Sequence, residues 1–309
     1  NGKPVVVLKT GSSNIGSNLT VSHTGSLSGS AELYEALFQR VGIISVTNPS
    51  QLLETLKFLC VVGVPQGKQV VGFTCSGGGA TMLADHAEKI DLIFPEFKTT
   101  QETELSALLP DIATVSNPLD YTTPIWGQEE MTYPVFAKAI SAIEADTAVL
   151  VQDYPAAEID SSKVYYRADA MAFARASKEQ GLPAIICATL PENMDLETRH
   201  LLIEKGVAPM QGIHEALNAI RDSADWNQAR SRILSEKPEY LLPSYPSSEQ
   251  KVIPESDSKR WLKSNNFNVP HGKTVSAHKV GEAAIEVGYP VALKMISPRL
   301  VHKTEAGAV

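Results

Sequence analysis

Gln69-Val70-Val71-Gly72-Phe73-Thr74-Cys75-Ser76-Gly77-Gly78-Gly79 decides the fold, because a β-branched run passes into a glycine-rich turn and then into the helical stretch Ala80 to Lys89. Strand, tight turn, helix is the arrangement in which backbone N–H groups at a helix N-terminus meet an anion. Glycine adopts positive φ and lets a phosphate come close to the main chain. The run lacks the Gly-Lys-Ser/Thr ending of a Walker motif and the Rossmann spacing. A plain structural turn fits the local pattern equally well.

Downstream the pattern repeats. Ala148 to Gln152 predicts a strand, Tyr165 to Lys178 a helix, Pro183 to Ala188 a strand, Leu196 to Lys205 a helix, Val207 to Met210 a short strand and His214 to Asp222 a helix. Strands alternating with helices at these lengths imply an α/β, doubly wound parallel sheet. Ligands of such sheets sit outside the carboxyl ends of the strands. Asp153-Tyr154-Pro155 and Thr189 to Asn193 would edge that cleft, with Glu158 and Glu192 as acid groups that solvation explains as well.

Between these elements lies Ser116-Asn117-Pro118-Leu119-Asp120-Tyr121-Thr122-Thr123-Pro124-Ile125-Trp126. Asn-Pro favours a turn, which puts Asn117 and Asp120 on a loop after an expected strand Ile112 to Val115. Either residue could tie the loop by side-chain to backbone bonds. Tyr121 and Trp126 could line an acyl pocket, with an indole face suited to a cationic substrate, or could pack on their own domain. Asp85 and His86, inside the helix after the glycine run, read as solvated or capping residues, and His200 and His214 receive no chemistry.

Upstream, Pro4 to Lys9 predicts a buried strand and Ser30 to Arg40 a helix, with a polar loop between them that carries Ser22-His23-Thr24-Gly25-Ser26-Leu27-Ser28-Gly29. A histidine among small residues on an open loop can accept a phosphoryl group, although a surface histidine without chemistry also fits. Val41 to Val46 predicts a further strand. Ser50 is the expected N-cap of a helix from Gln51 to about Cys60, and Val61 to Lys68 reads as a linker.

The 309 residues suffice for two domains or more, and 43% hydrophobic with 20% charged content is ordinary for a globular protein. A net charge of −8 and a pI near 5.4 exclude a general nucleic-acid binder. Cys60, Cys75 and Cys187 show no CxxC spacing, so neither a disulfide framework nor a metal site is indicated, and a reducing cytoplasm fits best. No run approaches the roughly 18 apolar residues of a membrane span, and no secretory leader opens the chain. The abrupt start beside a strand points to a fragment.

From Ser223 to Pro254 the composition turns polar and proline-containing, as in an interdomain linker. A helix over Asp257 to Ser264, another over Ala277 to Val287 and a strand over Gly288 to Lys294 follow.

Lys3 to Lys9 with Ser22 to Gly29 resembles the phosphohistidine segment of the NDP-forming acyl-CoA synthetase superfamily, which includes ADP-forming acetyl-CoA synthetases and succinyl-CoA synthetase. The resemblance implies that His23 carries phosphate between nucleotide and acid, and that Ser76, Gly77, Gly78 and Gly79 hold its phosphoryl group. It also places Asn117, Asp120, Tyr121 and Trp126 near the acyl chemistry as substrate-binding residues. Tyr289-Pro290-Val291-Ala292-Leu293-Lys294 looks like the opening of an ATP-grasp domain, which makes Lys294 a nucleotide ligand. Ser297 to Ala308 resembles the family's HKSDxGG segment, so His302 inherits a phosphate-shuttling role; Thr304, Glu305 and Ala308 depart from it mildly.

The implied architecture is the end of a His-bearing flavodoxin-like domain (1–64), a second flavodoxin-like ligase domain (65–224), a linker (225–250) and the start of an ATP-grasp domain (251–309). The implied activity is an acid–thiol ligase using ATP, Mg2+ and coenzyme A on a small carboxylic acid, with neither nucleic acid nor membrane as partner. A homo-oligomer is expected, with a CoA-binding region before this segment and the rest of ATP-grasp after it in the parent chain. The family's second phosphate-facing helix and the glutamate that orients the histidine would also precede Asn1. Two alternatives stand beside the ligase. One is an ATP-dependent dimethylsulfoniopropionate lyase working through an acyl-CoA, suggested by Tyr121 and Trp126. The other is a non-catalytic acyl-CoA sensor of a protein acetyltransferase, against which His23 argues.

Overall fold

A computed structural model describes residues 2–13, 15–16, 31–155, 161–236, 253–297 and 307–309. Two compact units divide between Glu239 and Tyr240.

Among its described residues the first unit holds two parallel sheets. Strands β1 (Val6–Leu8) and β2 (Ile44–Val46) pair directly, Val6 opposite Ile44 and Leu8 opposite Val46. Helix α1 (Ala31–Val41) precedes β2, and helix α2 (Pro49–Val61) follows it. The cap of α2 is Asn48, whose side chain accepts from Gln51 N–H, with Pro49 in the first turn. The expectation of Ser50 as cap is corrected by two residues: a proline lacks the N–H that the first helical position leaves unpaired anyway.

The five-stranded sheet contains β3 (Val70–Thr74), β4 (Leu119–Asp120), β5 (Thr147–Val151), β6 (Ala184–Ala188) and β7 (Ala208–Gln211) in the order β4-β3-β5-β6-β7, all parallel. Counting from β3, this is the flavodoxin order 2-1-3-4-5. Strands β3, β5 and β6 are buried throughout, as a sheet covered on both faces requires. Val71, Phe73, Ala148, Leu150, Ala184 and Ile186 point to one face, and Val70, Val149, Val151, Ile185 and Cys187 to the other.

Helices α4 (Thr99–Ser106), α5 (Glu129–Ala142), α6 (Lys163–Glu179) and α7 (Leu196–Glu204) supply the first of these cores. Helices α2, α3 (Gly77–Lys89) and α8 (Ile213–Ser235) supply the second. Phe58 of α2 is therefore core to the five-stranded sheet, and packing is continuous across the expected division at residue 64. Gln51 Nε2 donates to the buried Asp222 at 3.0 Å, and Glu54 accepts from Gln211 N–H at 2.8 Å. Helix α8 continues to Ser235, so the first eleven residues expected as linker are helical.

Ile112 to Val115 form no strand; the pairing falls at Leu119–Asp120, after the Asn-Pro turn. No described helix is long and apolar enough to cross a membrane.

The second unit contains α9 (Glu255–Ser264) and α10 (Val280–Val287). The expected strand over Gly288 to Lys294 does not form: Tyr289 and Pro290 lie in a bend and Val291 to Lys294 pair with no described strand, while Met295 N–H bonds to the carbonyl of Ala308 at 2.9 Å. A strand exists only with a partner.

Candidate functional site

The carboxyl end of β3 is flanked by β4 on one side and β5 on the other, which makes it the topological switch point of the sheet. The Ser76–Gly79 turn lies there. Ser76 is the extended N-cap of α3 and makes no side-chain capping bond, while its own N–H donates to Thr74 Oγ1 at 3.2 Å. The first backbone bond of the helix runs from Ala80 N–H to the Ser76 carbonyl. The N–H groups of Gly77, Gly78 and Gly79 thus precede the helical ladder, at the positive end of a 13-residue helix. Ser76, Gly77 and Gly78 are exposed. Gly79 is buried against Thr74, where a Cβ would collide with the threonine hydroxyl.

Asp120 forms the opposite wall. Its Oδ1 accepts from Thr122 N–H at 2.9 Å, and its Oδ2 lies 3.6 Å from where a Gly77 Cβ would be. Unpaired backbone N–H groups and a carboxylate therefore face one another at the switch point.

Three other expected contacts depart from this picture. Tyr121 is fully buried, and its hydroxyl donates to Asp169 at 2.9 Å, so it lies behind the turn. Asn117 spends its amide on main chain: Oδ1 accepts from Gly72 N–H, and Nδ2 donates to the carbonyls of Val70 and Pro95. These bonds sit on the lower half of β3, away from the turn. Trp126 is half-buried against α6, its ring 4.7 Å from Tyr166 and 5.7 Å from Tyr165. Lys294, in the second unit, is exposed and donates to Glu255 at 3.1 Å. One ion-paired lysine is too little to test against a nucleotide. His23, Glu158 and His302 lie outside the described residues, and Glu192 is exposed.

The polar centre behind the turn is missed by sequence reasoning. Asp169, on α6, is fully buried; it accepts from Tyr121 and, at 2.9 Å, from Gly127 N–H, and more weakly from Gln152 at 3.4 Å. Burial pushes its carboxyl up to about 6, against those hydrogen bonds. Tyr154 donates to Gln152 at 2.6 Å, and burial raises both tyrosines well above the usual phenol range. Burial also raises the Cys75 thiol. A signal for Asp169 existed: it shares the apolar stripe of Ala172, Phe173 and Ala176.

His86 also differs from its expected solvated role. Its ring stacks on His214 at 4.1 Å, and Nε2 is 3.3 Å from the Asn218 amide; burial, then the neighbouring His214, lowers its basicity.

Residues 1–59 match the succinyl-CoA ligase like flavodoxin domain, and residues 245–309 match the ATP-grasp domain. The chain is 26% identical over 321 residues to the ADP-forming acetate–CoA ligase I of Archaeoglobus fulgidus, with 99% of this chain and 44% of the relative covered. It is 23% identical to the ADP-forming 4-hydroxybutyrate–CoA ligase of Nitrosopumilus maritimus, again with 99% and 44% covered. The chain thus spans less than half the length of these curated relatives. Among solved structures, the dinucleotide forming acetyl-coenzyme A synthetase 1 of Ca. Korarchaeum cryptofilum, in complex with phosphate and ADP, matches with a TM-score of 0.63 at 21% identity, covering 77% of this chain and 50% of that one.

Proposed function

The chain belongs to the ADP-forming acyl-CoA synthetase superfamily, and we propose that the protein it represents is an acid–thiol ligase working through a phosphohistidine at His23. The observation that carries this proposal is the Ser76–Gly79 turn, an uncapped helix N-terminus at the switch point of a flavodoxin-like sheet.

An imidazole nitrogen of His302 attacks the γ-phosphorus of ATP and ADP leaves; an imidazole nitrogen of His23 then takes the phosphoryl group and the His302 nitrogen leaves. The carboxylate oxygen of the acid then takes the phosphoryl group and the His23 nitrogen leaves, giving an acyl phosphate. The CoA thiol attacks the acyl carbon and inorganic phosphate departs, with the thiol proton going to solvent. Covalent transfer keeps the free energy of ATP in a mixed anhydride. The Gly77–Gly79 N–H groups would hold the phosphoryl oxygens, and the α3 dipole would favour the charge that grows as phosphorus moves. Magnesium would screen the nucleotide phosphates when bound. His302 is proposed as the relay from the ATP-grasp region and Lys294 as a nucleotide contact. The acid is proposed to be a small carboxylate, and the setting a reducing cytoplasm.

The lyase alternative draws on Tyr121, which is buried, and Trp126, which packs on α6, and so has less support than the ligase. The test is transfer of labelled phosphate from ATP to the full-length protein, in wild type, His23→Ala and His302→Ala. Acid-labile label at position 23 is expected, lost in His23→Ala, with slower labelling in His302→Ala. An unlabelled wild type would turn the assignment toward a sensor without ligase activity.

A further inference from the structure

Asp169 grips the loop beside the glycine turn at two points. Its Oδ2 holds the Tyr121 hydroxyl and its Oδ1 the Gly127 N–H, each at 2.9 Å. It lies on the buried stripe of α6 with Ala172, Phe173 and Ala176, where an apolar side chain is the rule. A buried carboxylate is expensive to desolvate and contributes orientation through its bonds.

What it orients lies between the two grips. Thr122 has φ +67 and ψ 153, a backbone conformation that β-branched residues rarely adopt, and its Oγ1 is buried with no partner among the described residues. In that conformation its N–H fixes Asp120 Oδ1, which leaves Oδ2 beside Gly77. On the strand side, Tyr121 N–H bonds to the Thr74 carbonyl at 2.9 Å, two residues before the turn.

We propose that Asp169 is a positioning residue for the Ser76–Gly79 turn: by holding Tyr121 and Gly127 it keeps Thr122 strained and so pins the Asp120 carboxylate at the edge of the anion cradle. Released, Asp120 would swing onto the uncapped N–H groups, where the helix dipole favours a carboxylate, and would occupy the place of the phosphoryl group. This rests on the anion-binding role proposed above for the turn.

The test measures inorganic phosphate binding and hydrogen exchange on the 309-residue chain, in wild type, Asp169→Asn, Tyr121→Phe and the double variant Asp169→Asn/Asp120→Asn. Tyr133→Phe, which breaks the surface bond to Glu179 at the other end of α6, serves as control. Expected are an approximately tenfold weaker phosphate Kd and slower exchange at 77–79 in both single variants, where Asp120 now caps those N–H groups, with affinity regained to within about threefold in the double variant. A merely structural Asp169 predicts faster exchange over 121–127 with phosphate affinity and the 77–79 exchange unchanged, and that result overturns the proposal. Should Asp169→Asn fail to fold, Tyr121→Phe decides alone. A wild type that binds no phosphate removes the anion-binding role, and exchange at 77–79 in Tyr121→Phe then settles the positioning claim: slower supports it, unchanged overturns it.

Discussion

At the scale of single residues, the three glycines of the turn do different things. A methyl group at Gly78 would meet nothing closer than Ser76 Oγ at 3.6 Å, whereas one at Gly79 would overlap the Thr74 hydroxyl. Gly78→Ala is expected to leave stability unchanged or raised by up to about 1 kcal/mol, because alanine restricts the unfolded chain. Gly79→Ala should cost about 1–3 kcal/mol through overpacking against a buried strand residue. Urea unfolding of both variants checks the contrast; equal midpoints would mean that Thr74 moves aside freely.

Asp169 makes a pH prediction at the same scale. Its folded carboxyl titrates near 6 against an ordinary value of 3.8, so between those values the folded state keeps a proton that the unfolded chain has lost. The stabilising contribution of the protonated acid is full below about pH 4 and is lost as pH rises through 6, a change of about 3 kcal/mol. Asp169→Asn should remove that slope from the urea midpoint measured between pH 3.5 and 7. An unchanged slope would assign it to other groups. Little of this centre was legible, because periodicity marks position 169 as core but does not say which donors from the segments after β4 and β5 will meet it.

At the scale of elements, Asn117 replaces a stretch of strand. Strand β4 has two residues and pairs only with Phe73 and Thr74. Below them the Asn117 amide takes over, bonding Gly72 N–H and the Val70 carbonyl at 2.9 Å each and the Pro95 carbonyl at 3.0 Å. Asn117→Ala strands buried main-chain groups of β3 and should cost about 2–4 kcal/mol. Asn117→Asp should be at least as damaging, since it turns an acceptor toward two carbonyls. Thermal melts test both, and a loss under about 1 kcal/mol would show that water replaces the amide. The Asn-Pro turn was visible in the sequence, and so was the option of a loop-tying asparagine. The strand itself was misplaced to Ile112–Val115 because β4 is too short to carry a period. Strands β3, β5, β6 and β7 were legible because a strand buried on both faces is apolar throughout. The length of α8 was not: beyond Asp222 its sequence is polar, and its helical state follows from what it packs on.

That packing decides the organisation of the whole first unit. Trp226, 9% exposed, closes a small core with Ile44 and Val46 of the two-stranded sheet. Around it, Lys68 pairs with Asp225 at 2.5 Å, Asn227 donates to the Pro65 carbonyl at 3.3 Å, and Arg232 donates to the Gln39 carbonyl at 2.9 Å. Residues 225–235, which composition marks as linker, therefore fasten the β1–β2 segment to the five-stranded sheet. A chain ended at residue 224 would lose a buried tryptophan, worth about 3–5 kcal/mol by analogy with core truncations. At about 2–4 °C per kcal/mol for a unit of this size, residues 1–224 should melt roughly 10 °C below residues 1–236. The loss should be local in origin, so limited proteolysis ought to cut between β1 and α2 first in the shorter chain, while β3 to β7 stay protected. Equal melting points and equal cleavage would mean that α2, through Phe58 and Gln51, holds the two sheets together without the end of α8.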